Sequence, residues 1–316
     1  MTIRRWLGPI IGLILAGLSA WALTRFCAAT SWSQILDAFA RLGFYHFLAL
    51  GLLPIVSVLL FAHLDRCHAR HLGYAVSRRT ALTGVSCAQG VSLNIGNSLV
   101  MGGAVRVRIY GALGLPLALG AILAALNFLA VNIGVAALAG GFWLCCPTQP
   151  GRIGAAVAAV GIGLGLGWVV LALVHDPLIG RTPFLTRLIQ RMPPPWLAVL
   201  GLGTGAVEKL VVAAVLLALL PSAAQLGMTS FEVVTAFLAA IVIGKWSQVP
   251  GGLGVIEAAF LAMLPTAPTG QLLAEVIAAF VAFRISYYLV PLLAAGGQLL
   301  VGEARGWRWL PRITAL

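Results

Sequence analysis

Two Gly-Gly pairs that lie 149 residues apart constrain this chain more than any other feature of its sequence. Gly102-Gly103 precedes Arg108, and Gly251-Gly252 precedes Glu257, each within a long apolar stretch. The same offset places Arg108 opposite Glu257. Glycines beside charged residues in apolar surroundings, present twice, are typical of broken helices that form a transport site at the midplane of a membrane.

The composition indicates an integral membrane protein. The chain contains 61% hydrophobic and 9% charged residues, and its mean hydropathy is +1.02. Soluble domains carry about 25% charged residues, so a soluble fold is excluded, and we predict one polytopic membrane domain over 1–316. The net charge of +12 is explained by Arg residues that anchor cytoplasmic loops. No segment is polar enough to hold a basic face for nucleic acid.

A spanning helix needs about 20 apolar residues, and about six segments satisfy this requirement. They are 6–26, 44–64, 117–145, 153–174, 196–220 and 271–300. The segment 31–41 is predicted to form a short interfacial helix. Two further regions, 80–116 and 232–265, are apolar but interrupted. Each of these is either a span with a loop or a hairpin that enters and leaves on one side.

Counting of Arg residues favours the hairpins. If both regions are re-entrant, the Arg-rich loops 65–79 and 175–195 and both termini lie in the cytoplasm, as the positive-inside rule requires. The prediction is therefore an all-α protein of a bacterial cytoplasmic (inner) membrane with two oppositely oriented broken hairpins. The unit of helix, hairpin and helix recurs at about 44–145 and about 193–300 with inverted topology.

The charged residues near the hairpins are the first candidates for a binding site. Breaks are predicted at Gly102, Gly103, Pro250, Gly251, Gly252 and Gly254. Free backbone N–H groups at such breaks, together with Arg106 and Arg108, favour binding of a phosphate. Glu257, with Glu208 or Lys245, would complement other charges of the headgroup, or Glu257 would pair with Arg108. Glu208 and Lys209 are read either as a functional pair or as a local structural pair.

Three motifs resemble those of the lysylphosphatidylglycerol synthase/flippase (MprF) family. The first runs from Asn94 through Asn97 and Gly102-Gly103 to Arg106, Arg108 and Tyr110. The second is Pro250–Glu257, and the third is Phe283–Pro291, in which Arg284 is followed by paired tyrosines. The resemblance covers most of the chain and adds Asn97, Tyr110 and Arg284 to the candidate substrate-binding residues. Arg284 would bind either substrate or the carbonyls of the second hairpin.

What the resemblance implies is a lipid flippase of the stand-alone, YbhN-like kind. Full-length relatives carry a second membrane portion and a soluble aminoacyl-transferase domain, neither of which we expect here, so the chain is not expected to be an enzyme. The expected partners are membrane lipids: anionic or aminoacylated phospholipids, or polyprenyl- or hopanoid-type lipids. A homodimer stays open. No cofactor or metal is expected, since Arg66 and Arg70 would oppose a cation near His63, Cys67 and His68.

Two other functions stay open at this stage. A membrane-embedded transferase acting on a lipid carrier would need paired carboxylates, and the chain has only eight acidic residues. A partner subunit of a lipid-modifying enzyme would need no transport site of its own. Near the end of the chain, Trp307 and Trp309 are predicted to anchor the tail at the membrane interface.

Overall fold

The structure is a computed structural model, and it describes residues 32–95, 98–145, 152–178, 192–247 and 249–316. The described residues are almost entirely helical. The helices are α1 (Trp32–Ala40), α2 (Phe44–His71), α3 (Arg78–Ile95), α4 (Ser98–Ala112), α5 (Leu117–Leu144), α6 (Arg152–Leu178), α7 (Pro195–Leu219), α8 (Ser230–Trp246), α9 (Val255–Ala262), α10 (Gly270–Arg284) and α11 (Val290–Arg305). A π-helical turn, Ile285–Leu289, joins α10 to α11. Two short strands, β1 (Tyr74–Ala75) and β2 (Thr314–Ala315), pair antiparallel.

Four helices in the described part of the chain are long and apolar enough to cross a membrane. They are Phe44–His71, Leu117–Leu144, Pro195–Leu219 and the continuous segment Gly270–Arg305. The predicted span 153–174 lies within α6, in which Ala159–Leu173 is a shorter apolar stretch. The predicted span 6–26 lies outside the described residues. The all-α membrane class is therefore confirmed, whereas the number of six spans and the inverted repeat stay predictions.

The first interrupted region forms a pair of short helices. α3 and α4 have 18 and 15 residues, below the length of about 20 that a full span needs. Gly84 of α3 lies directly against the ring of Tyr110 in α4, so that a Cβ at Gly84 would clash with that ring. Gly84 is 11 residues before Ile95 and Tyr110 is 12 residues after Ser98, so their contact shows that α4 folds back along α3.

The second interrupted region also forms two helices that fold back on each other. α8 has 17 residues and α9 has only eight. Gly244 near the end of α8 lies against Ile256 in the first turn of α9. Thr229 begins α8 with a reciprocal pair of bonds to Glu232, which satisfies N–H groups that the first helical turn leaves unpaired.

The chain divides into two compact units. The Glu257 unit contains the described residues of Met1–Ile55, Gly90–Ser98 and Val211–Leu293. Its core includes an aromatic cluster in which Phe280 lies edge-on to Phe237 and Phe260. The Arg106 unit contains the described residues of Val56–Gln89, Leu99–Leu210 and Ala294–Leu316. In its core α5 packs closely against α7, since Gly134 and Gly205 leave room for neighbouring backbone.

The tail after α11 is folded into the Arg106 unit. β2 pairs with β1, and Ile313 N–H donates to Leu113 C=O at 2.9 Å. Trp307 is 2% exposed and lies against Gly302, so the prediction that it anchors the tail at the interface is wrong. Trp309 is 44% exposed. The tail is held in place because Trp307, Leu310 and Ile313 pack into one apolar core with side chains of α3 and α4.

Candidate functional site

Arg284 and Glu257 form a buried ion pair in the Glu257 unit. Arg284 Nη2 donates to Glu257 Oε2 at 2.9 Å, and Arg284 Nε donates to Glu257 Oε1. The two side chains are 13% and 3% exposed. Removing one member of such a pair leaves a buried charge uncompensated, so the two residues depend on each other.

The same guanidinium closes the break of the second hairpin. Arg284 Nη1 donates to Gly251 C=O at 2.9 Å, and Nη2 donates to Gly252 C=O at 3.1 Å. The ring of Tyr288 lies 5.1 Å from Arg284 Cζ, a cation–π distance. Every nitrogen of this guanidinium therefore has a partner. Of the two roles considered for Arg284, binding of hairpin carbonyls is the one found, and Glu257 uses both of its oxygens on Arg284 rather than on Arg108.

A break at Pro250, Gly251, Gly252 and Gly254 separates α8 from α9. The three glycines have φ angles of 61°, 59° and 76°, in the left-handed region that costs other residues about 1–2 kcal/mol each. Pro250 begins a single 3₁₀ turn and has no N–H to continue a helical ladder. Asn94 of α3 supports this region by donating to Tyr288 C=O at 3.0 Å.

The predicted break at Gly102 and Gly103 is wrong. Both glycines lie inside α4, which is continuous from Ser98 to Ala112. A Cβ at Gly103 would lie 3.5 Å from the Ala124 Cβ of α5, an ordinary contact distance, so this glycine sits where two helices pass close together. Asn97, a predicted binding residue, lies outside the described residues.

The Arg106 unit contains a second buried arginine pair. Arg106 Nε donates to Asp65 Oδ2 at 3.0 Å, and Tyr110 O–H donates to the same oxygen at 2.8 Å. Asp65 is 1% exposed and Tyr110 is fully buried. Asp65 Oδ1 has no hydrogen-bond partner among the described residues. Arg106 and Tyr110, two of the predicted substrate-binding residues, therefore share Asp65 as a partner, and the prediction from sequence did not include Asp65.

Arg106 differs from Arg284 in what its guanidinium leaves open. Its Nη1 and Nη2 make no hydrogen bond to any part of the chain that the structure describes, and the side chain is 14% exposed. Arg108, two residues later, is 67% exposed and pairs with Glu303 of α11 through two bonds of 2.6 Å. Because a helix turns about 100° per residue, the two arginines lie on different faces of α4. Arg106 alone is held inside the unit.

Glu208 and Lys209 form a third buried pair, between neighbours on α7. Lys209 Nζ donates to Glu208 Oε2 at 2.6 Å, and Ser57 O–H donates to Glu208 Oε1 at 2.9 Å. Gln89 in turn donates to Ser57 Oγ at 2.6 Å. Glu208 is 1% exposed, and these partners, Ser57 and Lys209, belong to the same unit. Lys245, which was predicted beside it as a headgroup ligand, is an exposed residue of α8.

The residues around Asp65 also correct the expected loop 65–79. The helix α2 continues to His71, and His68 is buried with its Nδ1 3.0 Å from Asn127 Oδ1 of α5. Over the described parts of the chain, no group of three His, Cys, Asp or Glu residues could hold a metal ion. The sequence signal that was overlooked is Asp65, an acidic residue that directly follows the apolar run 44–64. It lies six residues before the end of α2.

Helices of this length and apolarity, with buried ion pairs inside them, define an all-α membrane protein. No family model matches the chain. The chain is 26% identical over 254 residues to the inner membrane protein YbhN of Escherichia coli, which covers 78% of this chain and 76% of YbhN. It is also 26% identical over 296 residues to the uncharacterized protein slr0712 of Synechocystis sp., covering 92% of this chain and 89% of slr0712. These similarities support a YbhN-like membrane protein.

Proposed function

We propose that this chain is a lipid flippase or transporter that moves a phospholipid or a lipid-linked headgroup across a bacterial inner membrane. The observation that carries the proposal is the state of Arg106. Its guanidinium is held by a buried carboxylate through Nε, while Nη1 and Nη2 make no hydrogen bond to the described residues. An arginine fixed in this way presents two parallel N–H donors, which is the geometry that binds phosphate oxygens.

The depth of Arg106 suits a lipid phosphate. α2 has 28 residues, so it is about 42 Å long, compared with about 30 Å for the hydrocarbon core of a bilayer. Asp65 lies six residues before the end of α2, or about 9 Å from that end. If α2 is centred in the bilayer, Asp65 and Arg106 lie near the boundary between acyl chains and headgroups, where the phosphate of a phospholipid resides.

The two hairpins and the MprF resemblance support the same proposal. The helices of the pairs α3–α4 and α8–α9 are each shorter than a full span, as expected for re-entrant hairpins. In the proposed topology they enter from opposite faces, both termini are cytoplasmic, and the repeats 44–145 and 193–300 alternate access by rocking. The three buried carboxylates, Asp65, Glu208 and Glu257, each accept from a cation. This pairing suits a transporter better than a transferase that needs a free general base.

The test is lipid translocation by purified protein in proteoliposomes. The vesicles contain phospholipids with a fluorescent acyl chain and a neutral, anionic or aminoacylated headgroup. A reductant added outside quenches the fluorophores of the outer leaflet, so the remaining fluorescence reports the lipid in the inner leaflet. Arg106→Ala is compared with Arg108→Ala, a matched control two residues away on the same helix. We expect wild type and Arg108→Ala to move at least one headgroup class and Arg106→Ala to lose most of this activity.

Three results would contradict the proposal. Wild type that moves none of the lipids argues for a partner subunit or another function. Equal loss in both variants shows that Arg106 has no special role. A new lipid species detected by mass spectrometry in the vesicles, absent with Arg106→Ala, would identify a transferase instead.

A further inference from the structure

A polar chain of four side chains runs through the buried part of the Arg106 unit. Gln89 donates to Ser57, Ser57 donates to Glu208 Oε1, and Lys209 donates to Glu208 Oε2, with distances of 2.6, 2.9 and 2.6 Å. All four side chains are at most 7% exposed. The Glu208 carboxylate accepts from Ser57 and from Lys209. It is the one acidic side chain among these four residues.

The network lies near the middle of the helices that carry it. Ser57 is 13 residues from the start of α2 and 14 from its end, and Glu208 is 13 residues from the start of α7 and 11 from its end. Helices of this length place their central residues near the bilayer midplane. An ionisable pair at that depth is rare, and proton relays are one of the few functions that use such pairs.

The helices α2, α3 and α5 carry few titratable residues close in sequence to this network. α5, which packs against this part of α7, contains no titratable residue along its whole length. On α2 the nearest is His63, six residues from Ser57, or about 9 Å along the helix. On α3 it is the buried Cys87, which donates to Gln298 of α11 at 3.5 Å. Lys209 is a cation in direct contact with Glu208.

We propose that Glu208 is a proton-binding site and that its proton moves together with the transported lipid. The proposal rests on the proposed function and adds the source of energy. The pair with Lys209 carries no net charge while Glu208 is a carboxylate. When a proton from the water on one side binds Glu208, Lys209 stays an ammonium and the site carries one positive charge. This charge compensates the phosphate of an anionic lipid, and the proton leaves to the other side when the lipid does.

The experiment measures how a pH gradient changes lipid distribution in the same proteoliposomes. If one proton moves per lipid, a gradient of about one pH unit changes the steady-state ratio of lipid between leaflets by about tenfold. The double variant Glu208→Gln/Lys209→Met is the test, because removing both charges avoids leaving an unpaired ion in the core. Glu208→Asp keeps the carboxyl, and Glu275→Gln removes an acid from a partly exposed pair with Arg41.

We expect the gradient response in wild type, Glu208→Asp and Glu275→Gln, and none in the double variant. Lipid movement by wild type that ignores the gradient overturns the proton site and leaves the flippase function intact. A wild type that moves no lipid removes the flippase function, and infrared spectroscopy then decides the proton site by itself. On acidification, the C=O band of a protonated carboxyl should appear in wild type and be missing from the double variant. Spectra without such a difference overturn the proposal.

Discussion

The two Gly-Gly pairs have the same sequence and opposite backbone conformations. Gly251 and Gly252 take left-handed φ angles in the break between α8 and α9, whereas Gly102 and Gly103 continue α4. Glycine is useful in two ways: it allows positive φ, and it allows close approach of a neighbouring helix. At Gly251-Gly252 the positive φ angles form a break to which Pro250 and Gly254 also contribute. At Gly102-Gly103 the glycine allows close approach, because Ala124 of α5 packs against Gly103.

The two buried arginines differ in a parallel way. Every nitrogen of Arg284 donates to Glu257 or to a hairpin carbonyl, so this guanidinium holds a backbone break in place. Arg106 donates through Nε to Asp65, and its other two nitrogens are unused within the described structure. The comparison separates an arginine that stabilises the fold from one that is available to a ligand.

The largest effect is expected from breaking the Arg284 site. Arg284→Met leaves Glu257 charged and buried and two carbonyls without donors, which should lower the free energy of unfolding by about 3–5 kcal/mol. Denaturant titration in detergent measures this change. The double variant Arg284→Met/Glu257→Leu should recover part of the loss, because no unpaired charge remains. An unchanged free energy in the single variant would show that the pair contributes nothing to the fold.

A smaller effect should separate the two glycine pairs. Gly252→Ala adds a Cβ at a φ of 59° and against the Ile256 side chain, which should cost about 1–3 kcal/mol of stability. Gly103→Ala places a methyl at an ordinary distance from Ala124 within a helix, where Ala is preferred over Gly by about 0.5–1 kcal/mol. It should therefore be neutral or stabilising. Equal destabilisation by both substitutions would contradict the different backbone roles assigned here.

Replacement of each arginine by Lys should sharpen the contrast between the two sites. Lys has one nitrogen and cannot reproduce the fork with which Arg284 binds Glu257 and two carbonyls, so Arg284→Lys should lower the unfolding temperature clearly. Arg106→Lys loses a single bond to Asp65, so it should unfold close to wild type while its lipid translocation falls. Thermal unfolding and translocation are measured on the same preparations. A larger fall in unfolding temperature for Arg106→Lys than for Arg284→Lys would contradict the structural role of Arg284 and the ligand-binding role of Arg106.

The smallest effect is expected at Arg108. Its pair with Glu303 is exposed, and exposed pairs contribute little because water and salt screen them. Arg108→Ala should leave the unfolding temperature unchanged within error at moderate salt. A marked loss of stability would show that α4 is attached to α11 mainly through this pair.

The sequence by itself determined the class of this protein and the places where helices lie. The predicted spans 44–64, 117–145, 196–220 and 271–300 each correspond to a helix found in the structure, because hydropathy averaged over about 20 residues is a local property. The break at Pro250–Gly254 was also predictable, since a proline and three glycines within five residues leave no means to continue a helix.

Only the tertiary structure decided which residues act together. Asp65 and Arg106 are 41 residues apart, and Ser57 and Glu208 are 151 apart, so no local pattern connects them. The same reason explains the error at Gly102 and Gly103: whether a glycine breaks a helix or admits a neighbour depends on the residue that packs against it. Burial of His68 and Trp307 was likewise decided by distant helices, because exposure depends on the whole fold rather than on the surrounding sequence.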